Sequence, residues 1–400
     1  MLRHLVLGAN SFVLSYADPR HHEVVLIESK DRFNIKQITV PNRIFLFESL
    51  SLELLLPIIR AEHAVKPFDQ VITPRDKMLV LAEELNASLK LPGAGDKVAR
   101  LFYNKPLLRE RLNKANFSPV QTQLGTTIAD IKHSLKFFAK PLIVKPTDQE
   151  GSLGVFKINP GAPQAEMEHI INTYEKLNIK NFLIEELLIG PEFSVESFSV
   201  DKRHLIITVT EKLTNDYFVE LGHVIPAPLP EKTRREIEVF IKEFLDISGV
   251  INGPCCTEIR LTNKGPAIIE SQNRPGGDGL PELMEHAFGF KIFEKMYELP
   301  NLKQGNWPPK LTQKCTAAIR YFNTPPGRIK SISFKKEPRQ IEGVVDFDLS
   351  VKPGDFIKPI RSSDDRIGYA MAIGRTAEEA VARCNEAISS VDISLQNTGL

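Results

Sequence analysis

The chain has 400 residues, 42% of them apolar and 25% charged, and its 51 Lys and Arg against 50 Asp and Glu give a formal net charge of +1. That composition excludes disorder, collagen-like and coiled-coil architectures, leaves no global positive field for nucleic acid or an anionic membrane, and allows two or three domains of roughly 100–200 residues. Four cysteines, of which Cys255 and Cys256 are adjacent, form neither a CxxC pair nor a disulfide framework, so a reducing, cytoplasmic setting is expected.

The apolar stretch behind Met1 has the look of a signal peptide, but Gly8-Ala9-Asn10 interrupts it and no A-x-A site follows. Leu5–Leu7 is therefore read as a first strand. No run of about 18 apolar residues follows anywhere, so no membrane span is expected. Short apolar runs (HLVLGA, EVVLIES, RIFLFE, QVIT) alternate with the helical patterns Ser51–Glu62 and Pro74–Asn86, which predicts a parallel sheet flanked by helices. Thr73-Pro74-Arg75-Asp76 has the chemistry of a helix start. His21-His22-Glu23 is read as a solvated turn. Leu91-Pro92-Gly93-Ala94-Gly95 closes an N-terminal α/β domain, residues 1–92.

Phe182–Leu188, Glu192–Val200 and Leu205–Leu213 are successive strand-like runs with short polar breaks, an antiparallel signal, and Glu231–Ile247 has helical apolar spacing. A second linker, Asn301–Gln313, contains Gly305, Pro308, Pro309 and the single tryptophan, Trp307. The last ninety residues are mixed and end in a helix opened by Thr376-x-x-Glu379. The expected division is a central lobe over 93–182 and a C-terminal lobe over 183–400, with 310–400 as its α/β subdomain.

Three local features carry chemistry. In Thr257–Glu270, Asn263-Lys264-Gly265 is a turn between two strand-like runs. A hairpin centred on Lys264 sets Glu258 opposite Glu270, and opposed like charges destabilise a sheet unless a cation lies between them. Mg²⁺ takes one or two carboxylates plus phosphates. Gln272 and Arg274 follow on the same face by strand parity. A solvent-facing hairpin whose glutamates pair with Arg260 and Lys264 fits the same residues. Next, Lys145 closes the strand Pro141–Pro146, and a small-residue loop with Gly151, Ser152 and Gly154 precedes another strand. Such a loop can wrap phosphate oxygens with backbone N–H groups, or be a plain hairpin; no Walker A or GxGxxG pattern occurs. Third, Glu185 and Glu186 break an apolar strand and Glu192 follows a Gly-Pro turn. These suit a nucleotide's amine and hydroxyls, or an edge-strand charge pair. Cys255 and Cys256 are read as small packing residues on opposite faces of one strand.

The order of these features identifies a resemblance. The helix lysine Lys105, the strand lysine Lys145, the glycine loop, an EExxxGxE stretch from Glu185 and then E-x11-E-x-Q-x-R from Glu258 to Arg274 resemble the ATP-grasp family. Glu270–Asp278 looks most like the branch that ligates amino acids, although Gln272 stands where many relatives carry Asn. The resemblance implies an α/β and α+β protein with a Rossmann-like N-terminal domain and ATP between two α+β lobes. Lys105 and Lys145 would contact ATP, with Lys145 and Arg274 the catalytic cations. Gly151, Ser152 and Gly154 would close over the phosphates. Glu185, Glu186, Leu187, Leu188 and Glu192 would hold adenine and ribose. Glu258, Glu270 and, more weakly, Gln272 would ligate Mg²⁺ or Mn²⁺. His223, in Phe218–Pro226, would touch the amino-acid substrate with Arg274, Gly276 and Gly277, and Lys212 is a weaker candidate there. The implied activity is ATP-dependent amide formation between two amino acids through an acyl phosphate. The alternatives are a ligase or carboxylase on another carboxylate, or ATP binding without turnover. A self-contained carboxylase lacks support because no biotinyl-lysine segment occurs. The implied partners are small molecules, not nucleic acid or membrane, and the resemblance allows a homodimer.

Overall fold

The computed structural model describes residues 1–95, 97–302, 307 and 310–396. Strands β1 (Leu2–Leu7), β2 (His22–Ser29), β3 (Arg43–Phe47) and β4 (Gln70–Ile72) form a sheet in the order β3-β2-β1-β4. Every neighbouring pair is parallel, as expected. Parallel strands need crossovers that cover both sheet faces. The helix Leu52–Val65 is one of them, the helix Asp76–Leu89 follows the last strand of this sheet, and Leu5, Leu7, Val25 and Ile27 are fully buried with Leu55, Ile59 and Leu85. The expected helix start shifts by two residues. Thr73 Oγ1 accepts from Arg75 N–H but donates to Leu7 C=O at 2.8 Å, so it locks the strand-to-helix turn and the helix opens at Asp76. His22 does not lie in a solvated turn either. It starts β2, is buried, and its Nδ1 lies 3.0 Å from His4 Nε2.

The second sheet contains β5 (Thr122–Gly125), β6 (Leu142–Pro146), β7 (Phe156–Ile158) and β8 (Phe182–Glu186), antiparallel in the order β5-β8-β6-β7. Helices Ile128–Phe138 and Gln164–Lys176 cover it through Ile131, Phe138, Met167, Ile170 and Tyr174. A boundary at 182/183 would cut β8. The segment 93–117 likewise departs from the expected central lobe, because Val98, Phe102, Leu108 and Leu112 are buried in the core of the next sheet.

The remaining strands are β9 (Glu192–Val200), β10 (Arg203–Thr214), β11 (Glu220–Ile225), β12 (Gly253–Thr262), β13 (Gly265–Gln272), β14 (Thr316–Tyr321), β15 (Gly327–Phe334), β16 (Val344–Leu349), β17 (Phe356–Ile357), β18 (Gly368–Gly374) and β19 (Val391–Leu395). Eight form one antiparallel sheet, β13-β12-β9-β10-β11-β14-β18-β16, so residues beyond 310 extend the same sheet; β17-β15-β19 form a small one. The helix Glu231–Ser248 packs with segment 93–117, and the helix Ala377–Ser389 is capped by Thr376, which accepts from Glu379 N–H. Val6, Val13 and Leu14 of the N-terminal domain share a core with Leu283, Met284, Phe293 and Tyr297, which fixes that domain against the large sheet. Trp307 is buried on Phe198 and Phe290, while Gly305, Pro308 and Pro309 of the expected linker lie outside the described residues. Among the described residues no helix is long and apolar enough to cross a membrane.

Candidate active site

One face of the large sheet carries nearly all the chemistry. Side chains alternate along a strand, and the register brings Glu192, Ser194 and Glu196 of β9 together with Lys212 of β10, His223 of β11, Cys256 and Glu258 of β12, and Glu270 and Gln272 of β13. Ser194 pairs with Glu258, Glu196 with Cys256, Lys212 with His223, and Cys256 with Gln272. Cys255 turns to the opposite face and into the core, whereas Cys256 lines a cavity, so only the first is the packing residue expected.

Glu258 and Glu270 stand directly opposite, as expected, but by a different route. Thr262 pairs with Gly265, so the turn is Asn263-Lys264, and Ile259 then meets Ile268. A regular ladder would set Glu258 against Ile269. A bulge between Glu258 and Ile259 on the register passes over Ile269 and opposes the two carboxylates. The solvent-facing alternative does not hold. Both side chains are largely covered, Glu258 lies 3.0 Å from Lys212 Nζ and Glu270 lies 3.6 Å from Lys105 Nζ. Arg260 turns instead to Glu192 and the Gly190 carbonyl. Burial, with the repulsion of Glu270, Glu192 and Glu220, pushes the Glu258 carboxyl up to about 8 against the pull of Lys212. Burial acts the same way on Glu270, but Lys105, Lys145 and Lys212 hold it below the ordinary glutamate value.

This pair of oxygen donors fits a hard divalent cation. Gln272 is beside it and donates to Glu270 at 2.8 Å; with its amide reversed the same atom position offers oxygen. Among the described residues no group of three or more His, Cys, Asp or Glu side chains has metal-holding geometry. Glu258 and Glu270 would therefore leave most of a cation's shell to water and phosphate oxygens, the usual habit of Mg²⁺.

Two chambers meet at Lys105, Lys212, Glu220, Glu258 and Glu270. The smaller, about 150 Å³, is lined by Lys145, Glu185 to Leu188 and Glu192. Within it Glu185 has no free oxygen: Arg109 Nε reaches one at 2.5 Å and Lys145 Nζ the other at 2.7 Å. Glu185 thus fixes Lys145 in place instead of facing a ligand through its carboxylate. Arg109 is the cation that makes this possible. Glu186 receives the Gln121 N–H and pairs with Lys140, and Leu187 N–H is donated to the Pro141 carbonyl. Glu192 is bound to Lys212 at 2.7 Å and to Arg260 at 2.6 Å.

The glycine loop joins β6 to β7. Gly151, Ser152 and Gly154 all have left-handed backbones, with φ of +62°, +60° and +76°. Gly151 and Ser152 border the small chamber, but Gly154 does not: its carbonyl accepts from Tyr174 Oη at 2.7 Å and a Cβ there would press on Pro146. The loop reaches across the chambers, with Ser152 Oγ donating to the Phe218 carbonyl and Lys105 Nζ to the Gln149 carbonyl.

The larger chamber, about 450 Å³, is lined by Asp76, Phe102, His223, Arg274, Gly277 and Asp278 among others. Arg274 is gripped by Asp76 along one edge of its guanidinium, Nε to Oδ1 at 2.6 Å and Nη2 to Oδ2. His223 Nε2 lies 3.5 Å from Asp278, and its buried Nδ1 has no partner. Gly277 borders the chamber, but Gly276 lies behind its wall. The Gly276 N–H donates to buried Glu196 at 3.1 Å, and a Cβ there would meet Leu280 and Glu196. Burial raises the Glu196 carboxyl above its ordinary value. Lys212, a weak candidate in sequence, is central: it bridges Glu192, Glu220 and Glu258 within 3.1 Å.

The ATP-grasp domain profile matches residues 138–282, and that of the L-amino acid ligase C-terminal domain 2 matches residues 320–396. Residues 138–282 thus match the ATP-grasp family, and the chain has the ATP-grasp fold. Members of that family bind ATP and Mg²⁺. The chain is 26% identical over 313 residues to an uncharacterized protein, y4rH, of Sinorhizobium fredii (77% of this chain, 64% of that one). It is 25% identical over 252 residues to the alanine–anticapsin ligase of Bacillus subtilis (58% of this chain, 53% of that one). It therefore spans about half to two thirds of these relatives' length. The crystal structure of an L-amino acid ligase from Bacillus licheniformis has the same fold, with a TM-score of 0.84 at 20% identity over 99% of both chains.

Proposed function

We propose that this protein is an ATP-dependent carboxylate–amine ligase that joins two amino acids. The observation that carries the reading is the opposed pair Glu258 and Glu270, flanked by Lys105 and Lys212, where the two chambers meet. One chamber then receives the nucleotide and the other the carboxylate to be activated, beside Arg274. The profile of an L-amino acid ligase C-terminal domain over residues 320–396 supports amino acids as the substrate class. Unpaired cysteines throughout support a reducing, cytoplasmic setting.

In this reading the substrate carboxylate oxygen attacks the γ-phosphorus of ATP, the β–γ bridge breaks, and ADP leaves an acyl phosphate. The amine then attacks the acyl carbon, loses a proton, and expels inorganic phosphate. A divalent cation held by Glu258 and Glu270 would neutralise charge on the phosphate oxygens. Lys145, fixed by Glu185, and Lys105, at the head of its helix, supply point charges to phosphate oxygens. Arg274, pre-oriented by Asp76, is a planar fork suited to the carboxylate and its acyl phosphate. Gly151 and Ser152 of the loop exclude water, which would otherwise hydrolyse that intermediate.

The test incubates the protein with ATP, Mg²⁺ and the twenty amino acids singly and in pairs, following phosphate and product mass. ADP and phosphate that appear only with a particular pair, together with a product one water lighter than the sum, are expected. Turnover with no pair would send the reading to other carboxylates.

A further inference from the structure

The segment Ile360–Arg366 leaves the C-terminal part of the chain and enters the active site, where Ser362, Ser363 and Asp364 line the large chamber. Arg366 is its anchor. It makes a two-pronged pair with Asp278, Nη1 to Oδ2 at 3.0 Å and Nη2 to Oδ1 at 2.6 Å, and stacks on the Tyr321 ring with 3.9 Å from Cζ to the ring centre. Asp278 in turn faces His223 in the large chamber. Arg366 Nε also donates to the Ser363 carbonyl at 3.0 Å, and Ser363 N–H donates to the Gly151 carbonyl at 3.3 Å. Asn215 Nδ2 ties the start of the segment to the body by donating to the Ile360 carbonyl at 3.0 Å, and Ser152 fastens the neighbouring loop residue to Phe218. An unbroken line of contacts thus runs from the large chamber through Asp278, Arg366 and Ser363 to the loop over the small one.

We infer that Arg366 and Ser363 are positioning residues that couple occupancy of the large chamber to closure of the glycine loop. Resting on the ligase reading above, the segment is a latch: a substrate that orders His223 and Asp278 also orders Arg366 and presents the Ser363 N–H to Gly151. ATP is then enclosed chiefly when a second substrate is present, which limits wasteful hydrolysis. Arg is required because its fork engages both Asp278 oxygens while its flat face stacks on Tyr321, which an ammonium cannot do.

Ser363→Pro tests the latch by breaking its contact with the loop, since proline has no N–H and sets a ring carbon against the Gly151 carbonyl. Ser363 opens a short helical turn behind Ser362, whose φ of −148° and ψ of 164° suit a residue before proline. The substitution deletes the N–H that Ser363 donates to the Gly151 carbonyl. Hydrogen exchange of peptides spanning residues 148–154, in the presence of Mg·ADP and the twenty amino acids, should quicken by about 2- to 10-fold, the worth of one hydrogen bond, with the rest of the protein unchanged. Under turnover, the ratio of phosphate released to amide formed should rise in S363P and R366K, with R366K also raising KM for the amino acid more than for ATP. Wild-type exchange in the loop and an unchanged ratio in both variants would overturn the latch. Loop exchange that quickens in S363P while the wild-type protein forms no amide would retain the latch and reject the ligase reading.

Discussion

Asp76 holds Arg274 across 198 residues of sequence, from the first turn of a helix in the N-terminal domain to the loop behind β13. The side chain assigned to the substrate carboxylate is therefore aimed by a domain that contributes few other groups to the site. Burial works against the charged guanidinium, but the Asp76 carboxylate outweighs it and holds Arg274 protonated far above any physiological pH.

Asp76→Asn keeps the shape and removes the charge. The expected outcome is a fall of about 10- to 100-fold in kcat/KM for the carboxylate substrate, from misplacement of Arg274, with KM for ATP little changed. Steady-state kinetics with each substrate varied separately checks this, and wild-type kinetics would detach Asp76 from the mechanism.

Glu270→Gln removes one carboxylate from the opposed pair while keeping its size. Turnover should drop by about 100-fold or more if the pair organises charge at the reacting phosphate. Calorimetry should find weaker Mg·ADP binding by a protein that still unfolds cooperatively. Full turnover in a folded E270Q protein would detach the pair from the reacting phosphate and leave it a structural feature of the hairpin.

Arg109→Leu leaves Glu185 in the interior with Lys145 as its single cation. Breaking one arm of a buried ion pair costs about 3–5 kcal/mol, so a clearly lower Tm is expected. KM for ATP should rise as well, since Lys145 loses the fixed carboxylate that aims it. Thermal unfolding and ATP saturation curves measure the two effects independently.

The His4–His22 contact predicts a pH dependence. Burial first, and then His22, lower the His4 imidazole from 6.5 to about 3. The unfolded chain binds this proton more readily than the folded one between those values. The stability linked to His4 is therefore complete above about pH 6.5 and is lost as pH falls toward 3, by about 1.4 kcal/mol for each pH unit in that window. Asp18, Glu294 and Glu298, which act on neighbouring His22, temper the loss. Urea unfolding at pH 7 and pH 5 should separate wild type from His4→Leu, whose stability should change less over that interval; parallel curves would contradict the assignment.

The parallel N-terminal sheet, the antiparallel middle and the Glu258–Glu270 opposition were legible because alternation and turn chemistry are local signals. The bulge at Ile269 was not, since a slip of one residue in a ladder leaves no mark in composition. Contacts distant in sequence were also hidden. Arg109 and Glu185 neutralise one another 76 residues apart, so a carboxylate that looked free for a ligand is occupied. Gly276 was expected at the substrate only through the family resemblance, and what lies against it is Glu196 and Leu280. Lys212 was underrated because one lysine on a strand is ordinary until three carboxylates converge on it.

The central claim is that a carboxylate is activated by phosphorylation in the chamber beside Arg274. The most direct measurement supplies the active amino-acid pair with the acyl donor's carboxylate labelled with ¹⁸O, and then weighs the released phosphate and identifies the nucleotide. An acyl phosphate requires one labelled oxygen to pass from the carboxylate to inorganic phosphate, with ADP as the other product. Unlabelled phosphate, or AMP with pyrophosphate, would contradict the account.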